Sequence, residues 1–326
     1  MIWSVLAVPL GFVLDLIFGD PHGALGKIHP VVLIGKVISA FEKMFRAACP
    51  KTVRGENLAG VFVWFLTVDV TVIVSCAIII LCYAVSVPLG VIVEGIMCWQ
   101  ILAVKSLKTE SMKVYDALET GTIDDARHAV SMIVGRDTAE LDDAAVTRAA
   151  VETVAENTSD GVVAPLFYIA FGGAVGGFLY KAVNTMDSML GYVEEPYKNV
   201  GLVPAKADDL FNYIPARLSA LFMLLAGKIL GLDVKNGYKI FKRDRYNHAS
   251  PNSAQTESVC AGLLGLRLAG DAYYHGVLHK KQYIGDEMRE IEHEDIKRSC
   301  SLMYATSVIS VIVCITARIA VLCAIL

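Results

Sequence analysis

Residues 58–107 read LAGVFVWFLTVDVTVIVSCAIIILCYAVSVPLGVIVEGIMCWQILAVKSL. Before Lys105 the only charged side chains in this run are Asp69 and Glu94. A helix rises about 1.5 Å per residue, so roughly 20 apolar residues cross a bilayer. The run is long enough for two crossings. Pro88-Leu89-Gly90 marks the expected break, because proline lacks an N–H and clashes with the preceding turn. This stretch places the chain among all-α polytopic membrane proteins.

The rest of the sequence agrees. The chain has 326 residues, 55% hydrophobic and 19% charged, with a mean hydropathy of +0.53. Soluble domains carry about 45–50% apolar and about 25% charged residues. An ordinary cytosolic enzyme, a disordered chain and a secreted disulfide scaffold are therefore disfavoured. A net charge of −4 gives no basic footprint for nucleic acid.

Four more stretches are apolar enough to test. Residues 1–19 open without a basic region or a small-residue cleavage site and carry Asp15, so they read as an uncleaved helix. Residues 162–180 are softened by Gly172-Gly173 and Gly176-Gly177, and residues 214–232 carry Pro215, Arg217 and Lys228. Residues 300–326 have Arg318 as their one charge. The first, the 58–107 run and the last read as spans. The middle two read as spans, re-entrant helices or helices buried against protein. We expect about four to six membrane helices plus amphipathic and re-entrant ones, in one integral membrane domain over 1–326. Residues 136–157 read as an amphipathic helix capped by Asp137 with Glu140 three residues on, ending at Asn157-Thr-Ser-Asp-Gly161.

Charge sets the orientation. Residues 20–57 and 105–161 hold six Lys/Arg each and 233–299 hold eleven, against three in 181–213. The positive-inside rule puts the first three segments in the cytoplasm. With six spans, 181–213 would face outward.

Eight cysteines form no C-x-x-C pair and no zinc spacing, so they read as reduced thiols. There is no P-loop, no G-x-G-x-x-G, no G-x-S-x-G and no H-E-x-x-H. Polar clusters beside the apolar runs are what remain. Asp15-x4-Asp20-Pro21-His22 with His29-Pro30 is the first. Arg148, Glu152 and Glu156 share a helix face and lead into Asn157 and Asp160. Such carboxylates suit Mg²⁺, which prefers oxygen and bridges to phosphates, though a salt-bridged solvated face explains them equally well. Lys181, Asn184, Asp187 and Ser188 make a polar stripe or a set of interfacial anchors. Asp208-Asp209-x2-Asn212 with Pro215 and Arg217 follows, and adjacent acids of this kind are commonly a turn. Lys242-Arg243-Asp244-Arg245-x2-His248 with Asn252 and Glu257 offers donors to phosphate or carboxylate, or a basic run for lipid headgroups.

In this order the blocks resemble the adenosylcobinamide-phosphate synthase family of cobalamin biosynthesis (CbiB/CobD). Carrying the resemblance are Asp15-x3-Gly19-Asp20-Pro21, His29-Pro30-x2-Leu33-Ile-Gly35, Gly135-Arg136-Asp137-Thr-x2-Leu-Asp142 and Glu152-x3-Glu156-Asn157-x2-Asp160-Gly161-x3-Pro165. Tyr180-Lys181-x2-Asn184-Thr-x-Asp187-Ser188, Asp208-Asp209-x2-Asn212-x2-Pro215-Ala-Arg217 and Arg243-Asp244-x3-His248-x-Ser250-Pro251-Asn252-x4-Glu257 complete it. Each block is weak alone, and the ordered set is specific. Ala254 and Ala269 stand where the pattern leads us to expect glycine, and Val200-Gly201 replaces a Phe-Gly.

The resemblance implies a multi-pass inner-membrane enzyme, a carbon–nitrogen ligase. It would join (R)-1-amino-2-propanol or its O-phosphate to the propionate of adenosylcobyric acid, using ATP and Mg²⁺. On those positions we assign Mg²⁺ to Glu152, Glu156, Asp160 and Asp187, supported by Asn157 and Asn184. Lys181, Arg243, Arg245 and His248 would hold phosphates, with Asn184, Arg217, Asn252 and Glu257 completing the substrate contacts. Asp20, Asp208 or Asp209 would accept the amine proton. These segments would build one cytosol-facing pocket, which requires that 162–180 and 214–232 do not both cross. Partners would be the corrinoid, the amine and membrane lipids, with a homo-oligomer or later cobalamin-pathway enzymes left open. A Mg²⁺-dependent prenyl or lipid diphosphate transferase would want paired D-x-x-x-D motifs. A transporter using Asp15, Asp69 and Arg318 would want internal symmetry. Neither feature is evident.

Overall fold

The computed structural model describes every residue except Met1, His22, Val193, His275 and Leu326, and the backbone alone of Ile2, Ala24, Leu25 and Ile325. His22, named in the first polar cluster, lies outside the described residues. The fold is all-α apart from two short antiparallel strand pairs, one nested within the other in sequence. Among the described residues, four helical runs are long and apolar enough to cross a membrane: Val53–Val85, Val87–Thr120, Asp143–Leu190 and Glu294–Ala324. A fifth reaches that length only if Leu202–Phe211 and Tyr213–Ile229 count as one span broken at Asn212.

Local chemistry explains the breaks. In the 58–107 run the break falls at Ser86, two residues before Pro88. Ser86 is extended (φ −164°, ψ 152°), and its Oγ accepts the Leu89 amide at 3.3 Å. It thereby caps the helix Val87–Trp99, in whose first turn the missing proline N–H costs nothing.

Three expectations need correcting. The N-terminal apolar helix, Trp3–Phe18, is about 24 Å long at ~1.5 Å per residue, short of a ~30 Å hydrocarbon core. Gly19 stops it at φ 62°, with its amide on Asp15 O at 2.9 Å. The helix expected from 136 begins at Asp143, because Asp142 is the cap and takes the Ala145 amide at 2.8 Å. Asp137 is drawn to a distant partner instead, accepting from Gly276 N at 2.7 Å. Nor does Asn157 to Gly161 end that helix. A π-turn, Ser159–Val163, carries it into Ala164–Leu190.

By internal contacts the chain forms two compact units. The first comprises 1–103, 164–212 and 311–326, the second 104–163 and 213–310. Read as one membrane domain, the sequence gives no hint of this division, since both units take stretches from both halves of the chain.

In the first unit, Val53–Val85 packs against Pro30–Ala48, Val87–Trp99 and Ala164–Leu190. Small residues permit the close approaches: a Cβ on Gly11 would lie 2.5 Å from Cys98 Cβ. Ala164–Leu190 is broken at Gly173 (φ 61°, ψ −156°), which frees backbone polar groups among apolar helices. Arg318 donates Nη1 to Phe171 O at 3.1 Å and Nη2 to Ser4 Oγ at 3.2 Å. Glu94 Oε1 accepts the Ala174 amide at 3.4 Å, and its Oε2 accepts Tyr83 Oη at 2.8 Å. The two charges are 3.9 Å apart and only 8% and 4% exposed. Glu94 and Arg318 are thus caps for a broken helix.

The second unit is centred on Ser253–Leu264, every residue of which is buried. Asp143–Thr158, Tyr213–Ile229 and Val234–Asp244 surround it. The strand pairs lie beside them: Leu268–Ala269 pairs antiparallel with Tyr283–Ile284, and Ala272–Tyr274 with Val277–His279. All eight cysteines are free thiols.

The cap at Gly173 is testable. A Cβ there would sit 2.5 Å from Glu94 Oε1 and 2.9 Å from Arg318 Nη2, on a backbone that L-residues avoid. Gly173→Ala is expected to destabilise the detergent-solubilised protein by about 2 kcal/mol or more. Arg318→Leu, which strands Glu94, should cost about 3–5 kcal/mol. Thermal unfolding measures both, and unchanged midpoints would refute the capping role.

Candidate functional site

Each unit holds its own polar cluster. In the second, Asp143–Thr158 buries Val146, Ala150, Val154 and their neighbours, and the four-residue spacing puts Arg148, Glu152 and Glu156 on a common face as expected. Their fates differ. Glu152 is 4% exposed; its Oε2 accepts from Arg136 Nη2 and its Oε1 from the Ala269 amide at 2.6 Å. Arg148 turns to the backbone, donating Nε to Arg267 O at 3.2 Å. Glu156 Oε1 accepts Ser253 Oγ at 2.7 Å. Asn157 spends its amide on Thr153 O at 3.0 Å, and Asp160 lies in the π-turn.

Ala269 has φ 60°, the one non-glycine residue with positive φ among those described. The sequence pattern led us to expect glycine there, and the backbone supplies the reason. Holding that conformation directs the Ala269 amide at Glu152.

Glu257 projects from the buried helix and is itself 4% exposed. Its Oε2 has no hydrogen-bond partner. Burial, with Glu156 and Glu152 nearby, pushes its carboxyl well above the ordinary glutamate range, while Arg136 and Lys281 pull the other way. His248 is driven down chiefly by burial, against Glu156. Its Nδ1 accepts the Ser250 amide at 3.1 Å, which leaves the proton of the neutral ring on Nε2. Three carboxylates, one imidazole, Arg136 and Lys281 therefore form one electrostatic group. Arg136 and Lys281 were not among the site residues expected. The Gly135-Arg136-Asp137 block was the available signal for Arg136; nothing local marked Lys281.

The other expected residues of this unit have defined neighbours. Arg217 lies over the Tyr213 ring at 3.5 Å and donates to Tyr213 O at 2.6 Å and Asn252 Oδ1 at 3.3 Å. Arg243 is matched by Asp244 at 2.6 Å and Asp286 at 2.8 Å. Asp244 also takes the Gly285 amide at 2.8 Å, so Arg243 secures the turn after the strand pairs. Arg245 lies over Phe241 and Tyr246 and keeps a buried Nε without a hydrogen-bond partner.

In the first unit, Asp208 accepts from Asn212 Nδ2 at 2.9 Å and Asn184 Nδ2 at 3.3 Å. Tyr180, fully buried, donates to Asn212 Oδ1 at 2.9 Å. Tyr168 stacks on both Tyr180 and Phe211 and donates to Phe211 O at 2.9 Å. Asp209 pairs with Lys206 at 3.3 Å. Asp20 lies 3.9 Å from His29 Nε2. Burial lowers the His29 pKa, with Asp20 opposing and Lys181 assisting. Asp20, His29 and Lys181 are thus one neighbourhood, and Asn184, Asp208 and Asn212 another.

Among the described residues no group of three or more His, Cys, Asp or Glu is placed to hold a metal ion. Both Glu152 oxygens are engaged, and Asp187 belongs to the first unit. A carboxylate or two completed by substrate phosphates is the arrangement Mg²⁺ commonly takes, and Glu156 and Asp160 fit it.

The family model described as CobD/Cbib protein matches residues 8–303. The "Cobalamin biosynthesis protein CobD" of Clostridium perfringens is 46% identical over 314 residues, 96% of this chain and 98% of that protein. The protein of the same description from Pelobacter propionicus is 45% identical over 304 residues, 93% and 91% of the two chains. That from Citrobacter koseri is 41% identical over 315 residues, 97% and 98%. No solved structure matches.

Glu257 gives the cluster a pH signature. The folded chain binds its proton more tightly than the unfolded chain does. Its favourable contribution is therefore full below the ordinary glutamate pKa and is lost as pH rises toward the folded value. Glu257→Gln should remove that loss, so its melting midpoint should gain on wild type as pH rises from the ordinary glutamate range toward neutrality. A constant difference across that range would show that Glu257 is ionised throughout.

Proposed function

The chain belongs to the CobD/Cbib family, and from that membership we propose that it is an adenosylcobinamide-phosphate synthase of cobalamin biosynthesis. It joins (R)-1-amino-2-propanol or its O-phosphate to the free propionate of adenosylcobyric acid, giving adenosylcobinamide or its phosphate. One observation supports this reading above the others. The motif residues Glu152 and Glu257 are buried, with Glu156 and His248 partly buried and electrostatically linked to them, and a solvated salt-bridge face would leave all four in water.

A carboxylate is a poor electrophile and needs activation. In the proposed sequence a propionate oxygen attacks the γ-phosphorus of ATP and ADP departs. The amine nitrogen then attacks the acyl phosphate carbon, inorganic phosphate leaves, and the amine gives up a proton. Catalysis of this kind is mainly positioning and charge neutralisation. Mg²⁺ would neutralise phosphate charge, held by Glu156 and Asp160. Glu152 keeps Arg136 and the Ala269 amide fixed beside them. His248, Arg245 and Arg217 supply donors for phosphate or carboxylate, and Asn252 orients Arg217. Arg243 has its charge met by two acids, so its part is to support the turn.

For the proton, three acids compete. Asp208 already accepts from two side-chain amides, and Asp209 is paired with Lys206. Asp20 faces a buried, weakly basic His29 and is our choice of base, with Lys181 and Asn184 contributing substrate contacts in the first unit.

The chain is a multi-pass membrane protein. We place it in the inner membrane with the reactive segments facing the cytoplasm, where ATP is available and where the Lys/Arg-rich segments 20–57, 105–161 and 233–299 belong.

Purified protein should convert adenosylcobyric acid, ATP, Mg²⁺ and one of the two amines to product, detected by mass spectrometry. Glu156→Gln and Asp160→Asn should each lose about 100-fold in rate at limiting Mg²⁺. Normal rates in both would discard the metal assignment, and no product from either amine would discard the reaction. Asp187→Cys and Asp209→Cys, made in a background without other reactive thiols, should resist a membrane-impermeant thiol reagent in intact cells. External labelling would reverse the proposed orientation.

A further inference from the structure

A pocket of about 630 Å³ in the second unit lies away from the carboxylate cluster. It is bounded by Lys108 and Met112, by Leu230, and by Lys297, Ser301, Tyr304, Val308 and their neighbours on the helix Glu294–Ile325. Two features distinguish it. Among the described residues its only charged lining groups are the two lysines, and the remainder of its wall is predominantly apolar. Lys108 stands over the Tyr304 ring, Nζ 5.1 Å from the centroid. Lys297 stands over Tyr115 at 3.9 Å and also reaches Glu294 Oε2 at 3.0 Å.

Sequence gives the setting. Lys108 follows the apolar part of the run Val87–Thr120, and Lys297 precedes that of Glu294–Ala324. Lysines at the ends of membrane helices sit at headgroup depth, and tyrosine shares that preference. From there the wall continues toward Val308, 46% exposed, with Leu230, 42% exposed, also on it. A ring holds the Lys108 ammonium without neutralising it, and basic pockets of this kind between helices suit anionic headgroups.

We propose that this pocket binds an anionic phospholipid, with its phosphate at Lys108 and Lys297 and an acyl chain along Leu230, Ala305 and Val308. The lipid bridges Val104–Thr120 and Glu294–Ile325 on the lysine-bearing, cytoplasmic side. The site is independent of the ligation chemistry, since none of the residues named for that reaction lines it.

Native mass spectrometry of the full chain in neutral detergent, titrated with phosphatidylglycerol or phosphatidylcholine, tests the proposal. Wild type should prefer phosphatidylglycerol about tenfold or more, and the preference should shrink with added salt. Lys108→Gln with Lys297→Gln should bring the two lipids to parity, while Lys108→Arg with Lys297→Arg should keep the preference. Val308→Trp should weaken binding of the chain-bearing lipid with the charges intact. Parity in wild type, or an unchanged preference in the glutamine variant, would overturn the site. Displacement by millimolar inorganic phosphate would overturn the lipid assignment in favour of a free anion. Should the glutamine pair fail to fold, loss of preference in a folded arginine pair would be equally decisive against it.

Discussion

A carbonyl and an amide left over where a helix breaks cannot stay unsatisfied among apolar neighbours, since each would cost several kcal/mol in hydrocarbon. The first unit is organised by this constraint. At Gly173 the chain leaves helical geometry, and Arg318 and Glu94 take up the Phe171 carbonyl and the Ala174 amide. Beyond the break, Tyr168 meets Tyr180 and Phe211, and Tyr180 begins the chain of bonds through Asn212 and Asp208 to Asn184. The polar stripe of Lys181, Asn184 and Asp187 rides on the half-helix that the break redirects.

The second unit applies the same rule to charge. Glu152 is buried, and both of its oxygens are met, one by Arg136 and one by a main-chain amide. Asp244 is buried and is met by Arg243 and Gly285. Glu257 departs from the rule, with one buried oxygen left without a hydrogen bond. An acid in that setting lowers its energy by keeping its proton. The cluster therefore combines a neutral acid, a neutral imidazole and carboxylates held by fixed donors. That division of protonation states is useful to an enzyme that must manage several anions at once.

Much of this could be read from the residues. The 58–107 run announced paired helices because no soluble arrangement buries so long an apolar stretch, and Pro88 located the break to within two residues. The Glu152-Glu156 spacing put both acids on one face, since helical periodicity needs only local chain. Legibility failed wherever the deciding partner was distant in sequence. Asp137 resembles a helix cap until the Gly276 amide appears beside it. Arg243 has an acidic partner in Asp286, more than forty residues on, which no local pattern reveals. Strands of two or three residues, as in the 268–284 strand pairs, carry too few alternations to register. Ala269 was flagged as a departure from glycine, yet only its positive φ shows why that mattered.

The caps at Gly173 also bear on how such a chain is built. A ribosome delivers Glu94 and the broken helix well before it delivers Arg318. Until then a carboxylate and an open carbonyl wait beside the translocon without their cation. Final assembly of the first unit is thus a late event, and the helix carrying Arg318 acts as the bolt that closes it.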